Sequence, residues 1–152
     1  MKMNELQELY QQVILDHNKH PKNYGRLAQA NRTAEGYNPL CGDRLQVFLQ
    51  VEDDVIKAIS FVGSGCAISK ASASVMTAEL KGKSTAEAAL LFKKFQSLLT
   101  VGPRQEAGTE DLGTLAVFSG VREFPTRIKC ASLSWHAMMS ALQQREQQVS
   151  TE

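Results

Sequence analysis

Apolar positions recur at three- and four-residue spacing from the start of the chain. Leu6, Leu9, Tyr10, Val13, Ile14 and His17 draw one stripe, which predicts a first helix. Asn4 is placed to cap it, Gln7 holds the capping-box position, and Pro21 ends it, because the residue before a proline avoids the helical region. Residues 21–40 are rich in Asn, Gly and Pro and read as irregular, with a short edge strand near Arg32 to Tyr37. The period then changes to two. Leu45, Val47, Leu49 and Val51 alternate with Arg44, Gln46, Phe48 and Gln50, Glu52-Asp53-Asp54 makes a turn, and Val55 to Val62 runs back with a mixed but β-branched pattern.

Small residues dominate the next stretch, Ala67 to Lys81, and predict a smooth helix that can approach its neighbours closely, with Gly82 closing it. Ser84-Thr85-Ala86-Glu87 is a capping box for a helix to about Thr100, with Ala88, Leu91, Phe95 and Leu98 facing inward and Gly102-Pro103 stopping it. Residues 103–110 read as polar loop and Leu112 to Val121 as a helical turn or two. A last helix runs from near Pro125 to about Gln148 with Ile128, Ala131, Trp135, Met138 and Leu142 on one stripe, and the tail beyond frays. Strands come first and helices mostly after. That order predicts an α+β fold: a small antiparallel three-stranded sheet packed against about five helices, in one domain spanning 1–152.

Composition narrows the function classes. Seventeen basic residues against sixteen acidic give a net charge of +1 with no basic block, so no nucleic-acid surface is indicated. No signal peptide opens the chain and no run of 18 apolar residues crosses a membrane. Three cysteines without an export signal argue for reduced thiols in the cytoplasm.

The candidate chemistry lies in those cysteines. Cys41 sits in Pro39-Leu40-Cys41-Gly42-Asp43, Cys66 in Gly63-Ser64-Gly65-Cys66-Ala67, and Cys130 in Arg127-Ile128-Lys129-Cys130-Ala131. Three thiolates and Asp43 make four ligands, the number Zn²⁺ takes in a tetrahedral site. The i, i+2 spacing puts Cys41 and Asp43 on one face of extended chain, and the antiparallel pair brings Cys66 to the same end. Cys66 also precedes a helix N-terminus, which favours a thiolate. Cys130, in or just before the first turn of the last helix, is not brought to the others by sequence alone. Several readings compete: unrelated buried thiols, a closed structural zinc site (which usually uses close CxxC pairs, absent here), a labile zinc site, or cysteine ligands of an iron–sulfur cluster. In the labile site Asp43 supplies a harder, exchangeable oxygen donor, and one thiolate is freed for sulfur transfer when a partner side chain replaces it.

Four segments in order carry a resemblance: Tyr10-x-x-x-Ile14-x-Asp16-His17-x-x-x-Pro21-x-Asn23; Asn38-Pro39-x-Cys41-Gly42-Asp43; Phe61-x-Gly63-x-Gly65-Cys66-Ala67-Ile68-Ser69-x-Ala71-Ser72-Ala73-Ser74; and Arg127-x-x-Cys130-Ala131-x-Leu133-x-Trp135. Together they resemble the IscU/NifU-type iron–sulfur assembly proteins over nearly the whole chain, and the SufU branch in particular. Scaffold members carry a histidine immediately before the third cysteine where this chain has Lys129, and the span from Cys66 to Cys130 holds extra residues placed around Gly102 to Gly120. The resemblance implies Zn²⁺ held by Cys41, Asp43, Cys66 and Cys130. It implies a cysteine desulfurase partner (SufS-like) donating persulfide sulfur to Cys41, with downstream iron–sulfur scaffold proteins beyond it. Arg127 matches a position near the site where a guanidinium would steady the anionic centre; a plain surface arginine is the other reading. The alternative function is a scaffold building a [2Fe-2S] cluster on the same cysteines.

The remaining polar residues read more simply. His17 packs on the first helix, Trp135 packs in the last one, His136 and Lys70 face solvent, His20 shows nothing specific, and Asp53-Asp54 is a turn.

Overall fold

The structure is a computed structural model that describes residues 5–100, 112–143 and 149–150. Helix α1 spans Glu5–Lys19, strand β1 Arg32–Asn38, β2 Asp43–Glu52 and β3 Val55–Ser64. Helix α2 follows at Ala67–Leu80 and α3 at Thr85–Thr100. A 3-10 segment occupies Gly113–Glu123, α4 runs Pro125–Leu142, and a two-residue β4 lies at Val149–Ser150. The fold is α+β, as the order of periods predicts: β1, β2 and β3 form an antiparallel sheet with β2 central, and five helical segments among the described residues accompany it.

The sheet explains the mixed pattern of β3. Pairing runs Leu45↔Gly63, Val47↔Phe61 and Leu49↔Ile59, then shifts so that Val51 faces Ile56 and Lys57 is skipped. One extra residue flips the alternation, so Ile56, Ile59 and Phe61 all join the buried face with Leu45, Val47, Leu49 and Val51. Asp53 and Asp54 turn the hairpin at φ 53° and 60°, the left-handed pair a tight two-residue turn demands.

Helices α2 and α4 cover this apolar face. Gly36 of β1 lets α4 in: a Cβ there would lie 3.0 Å from Leu133 Cδ1. The small residues of α2 permit the same closeness, and Ser72 Oγ donates to the Ala131 carbonyl of α4 at 2.5 Å. Behind them α3 inserts Phe95, which tilts against Trp135 at 4.9 Å and meets Phe118 edge-on at 5.8 Å. The capping box of α3 forms reciprocally, Glu87 N–H to Ser84 Oγ and Ser84 N–H to Glu87 Oε1. Helix α1 is clasped to α2 through His17 Nδ1 and Ser74 Oγ, 2.7 Å apart.

Some expectations change at the ends. The apolar piece read as a turn or two is an eleven-residue 3-10 segment. Helix α4 ends at Leu142, and the expected continuation over 144–148 lies outside the described residues, as do the polar loop at 103–110 and part of the extra span before Gly120. Where a frayed tail is expected, Val149 and Ser150 pair in parallel with Gly36 and Tyr37, taking up the open edge of β1. No helix among the described residues is long and apolar enough to cross a membrane.

Candidate metal centre

The β1–β2 hairpin builds one side of the site. Asn38 and Asp43 pair across its base, leaving Pro39 to Gly42 as the loop. Asn38 organises that loop: its backbone carbonyl accepts Cys41 N–H at 3.3 Å and its side-chain Oδ1 accepts Leu40 N–H at 3.2 Å. Cys41 is thereby presented to solvent, while the buried Asn38 Nδ2 donates to Cys130 Sγ at 3.6 Å.

The second side is the junction of β3 and α2. Cys66 caps α2, its Sγ accepting Ser69 N–H at 3.4 Å. Its own amide donates to Asp43 Oδ1 at 2.8 Å, and its Sγ lies 3.9 Å from Asp43 Oδ2. Asp43 is wholly buried, 0% exposed. Gly65 is what admits the carboxylate: a Cβ at that position would come within 2.5 Å of Asp43 Oδ1.

Helix α4 closes the third side. Cys130 lies in its second turn, one turn further in than expected, is 2% exposed, and directs Sγ–H at Cys41 Sγ over 3.2 Å. Cys41, Asp43 and Cys130 place one donor atom each within 4.8 Å of one another. Cys66 is outside this tight group but bonded to Asp43 at its edge. So the structure brings Cys130 to the hairpin, a step local reasoning could not make.

Burial pushes the Cys130 thiol far above its ordinary range, and the neighbouring Cys41, Asp43 and Cys66 groups push it further. Three thiolates and a buried carboxylate cannot all be charged together without a compensating cation. Four donors around a tetrahedral Zn²⁺ sit about 3.5–4 Å apart, and the 3.2 and 3.9 Å pairs bracket that spacing closely enough for small side-chain adjustments. The soft thiol-rich donor set and its spacing therefore fit a zinc ion.

Arg127 is exposed in the first turn of α4 with its guanidinium 4.4 Å from the centre of the Phe124 ring, a stacking contact and not a bond to any thiol or to Asp43. His136 differs from the expected surface residue: it is partly buried, 3.4 Å from Gln96 Nε2 and edge-on to Phe92, because α4 packs against α3 there. Lys70 is half-buried over the Tyr24 ring at 5.8 Å. Asn38 and Gly65 are the site residues that sequence reasoning missed. The available signals were an Asn three residues before Cys41, and a glycine at the helix cap with no turn of its own to explain it.

With the geometry in place, comparison with known proteins gives the class. Residues 9–131, which include all four candidate ligands, match the NifU-like N-terminal domain, and the chain belongs to that family. The zinc-dependent sulfurtransferase SufU of Bacillus subtilis is 41% identical over 93% of this chain and 94% of its own length. The iron–sulfur cluster assembly scaffold protein IscU of Streptococcus pyogenes is 37% identical over 93% and 87%. A crystal structure described as an iron–sulfur cluster assembly scaffold protein for the SUF system, from Fervidobacterium islandicum, superposes with a TM-score of 0.78 at 33% identity, covering 86% of this chain and 93% of that one.

Proposed function

We propose that this protein acts in iron–sulfur cluster assembly as a zinc-dependent sulfurtransferase that takes persulfide sulfur from a cysteine desulfurase and passes it toward downstream scaffold proteins. The observation that carries the reading is an exposed thiol, Cys41, backed at 3.2 Å by a buried one and by the buried Asp43 carboxylate. The sulfurtransferase from Bacillus subtilis, similar over nearly the whole chain, supports the same activity.

In this reading Cys41, Asp43, Cys66 and Cys130 would hold the zinc, within one domain spanning 1–152. Bound Zn²⁺ keeps thiols ionised at neutral pH. Cys41, on the rim, is the sulfur acceptor. Its thiolate attacks the terminal sulfur of the desulfurase persulfide; the new Cys41 Sγ–S bond forms as the donor S–S bond breaks, and the donor cysteine leaves as thiolate. Asp43 holds the Cys66 amide and so fixes the cap of α2 beside the acceptor. Arg127, exposed three residues before Cys130 on α4, is the residue whose positive charge would steady the anionic centre. Three free thiols in one site suit a reducing compartment, and we place the protein in the cytoplasm.

Adding the zinc-loaded chain to its cysteine desulfurase should raise desulfurase turnover and leave a persulfide on Cys41, seen by peptide mass. Equal stimulation by zinc-free protein, or a persulfide on another residue, would count against the reading. A second reading is supported by the scaffold named in Streptococcus pyogenes: a [2Fe-2S] cluster built on the same cysteines as cargo. Anaerobic purification separates the two, since iron and acid-labile sulfide in equal amount favour the scaffold and zinc without sulfide favours transfer.

A further inference from the structure

We infer that Cys130 resolves the persulfide carried on Cys41 and frees its sulfur as sulfide, leaving a Cys41–Cys130 disulfide. The inference rests on the proposed sulfur transfer to Cys41.

Three features of the fold set these two thiols apart from the third. Cys41 Sγ and Cys130 Sγ are 3.2 Å apart, with the Cys130 S–H directed at Cys41. Bonded sulfurs sit about 2.05 Å apart, so closing the pair needs a shift of about 1 Å. Such a shift is small for a hairpin loop such as the one that carries Cys41. Cys130 is 2% exposed, so no outside thiol competes for it, whereas Cys41 is open to a donor protein. Cys66 is engaged elsewhere, held by Asp43 on one side and by the Ser69 amide on the other.

The pair thus has the form of an attacking thiol and its resolving neighbour. Cys130 Sγ attacks the inner sulfur of the Cys41 persulfide. The Cys41 Sγ–Cys130 Sγ bond forms, the bond to the terminal sulfur breaks, and that sulfur departs as HS⁻, which takes a proton from solvent to become H₂S, while the two joined sulfurs give up any metal they would hold. The terminal sulfur gains the two electrons that the two cysteines lose. A cellular dithiol reductant then reopens the disulfide and restores both thiols. Sulfur would leave the protein at the oxidation level found in iron–sulfur clusters, without a separate acceptor thiol.

The test is a single turnover. The zinc-loaded protein is charged anaerobically with glutathione persulfide and desalted. It is then split between immediate alkylation with mass analysis and incubation without reductant. The first sample must show a persulfide on Cys41 or, where resolution is already complete, the Cys41–Cys130 cross-link with sulfide released; the absence of both overturns the transfer reading and the inference falls with it. During incubation we expect sulfide to appear, up to one per chain, as the chain loses the mass of H₂S and gains a Cys41–Cys130 cross-link. In Cys130→Ser the Cys41 persulfide should form but release sulfide about tenfold more slowly or worse. A persulfide that persists on Cys41, or moves to Cys130, or releases sulfide equally in Cys130→Ser, overturns the inference while leaving the transfer reading untouched.

Discussion

At the scale of single residues the site depends on atoms that approach closely because something else is missing. The Asp43 carboxylate reaches the Cys66 amide only because Gly65 has no side chain. Gly65→Ala should therefore displace the carboxylate and weaken zinc binding by about 10- to 100-fold, the usual cost of disturbing groups that orient a ligand. Competition with a chromogenic chelator reads this directly, with circular dichroism expected to stay native; unchanged affinity would show that Asp43 is not held by this contact. Cys41, Asp43 and Cys66 were readable as neighbours because alternation and a hairpin bring them together. Cys130 was not, since 89 residues separate it from Cys41 and only the docking of α4 on β1 joins them. Asn38 escaped notice for a related reason. Its buried amide serves the turn and the distant thiol at once, and only the turn is local.

At the scale of elements, the clasp between α1 and α2 is sensitive to protons. Ser74 Oγ accepts Lys22 N–H at 2.7 Å, which leaves its own hydrogen for His17 Nδ1. Burial lowers the His17 pKa below its ordinary 6.5; Lys22 lowers it further, and Asp16 opposes. Burial lowers His136 as well. A lowered folded-state value means the unfolded chain binds protons more readily. The penalty is therefore absent well above pH 6.5, grows as pH falls through 6.5, and levels off below the folded-state values. Each imidazole contributes a slope of at most about 1.4 kcal/mol per pH unit. Thermal melts between pH 7.5 and 5 should show falling stability, and His17→Asn, which keeps an acceptor for Ser74, should flatten the curve. A wild-type curve already flat through this range would refute the assignment. Helices α2, α3 and α4 were foreseen from composition and capping, as was the central strand. The bulge in the hairpin was not, because a skipped Lys57 looks like a faulty alternation until the strands are paired.

At the scale of the molecule, the candidate ligands tie three pieces together: the β1–β2 hairpin, the cap of α2 and the second turn of α4. A metal bound only by the folded arrangement adds its binding free energy to folding, about 4 kcal/mol at a thousandfold excess over its dissociation constant. Removing zinc with a chelator should lower the melting temperature by several degrees, and adding zinc back should restore it; an unchanged melt would mean the metal is not held across these elements. The α+β order was legible because periodicity reports each element's inner face, while the partners of those faces are set by packing that no local pattern encodes. One such packing detail gives the chain an optical gauge. Trp135 is its sole tryptophan, sits five residues beyond Cys130 on the same helix, and leans on Phe95 in full burial. Its ring nitrogen meets no acceptor among the described residues. An indole in so apolar a setting emits toward the blue and shifts red when water reaches it. The seating of α4, and with it the arrival of Cys130 at the site, can thus be followed by the colour of the protein's own light.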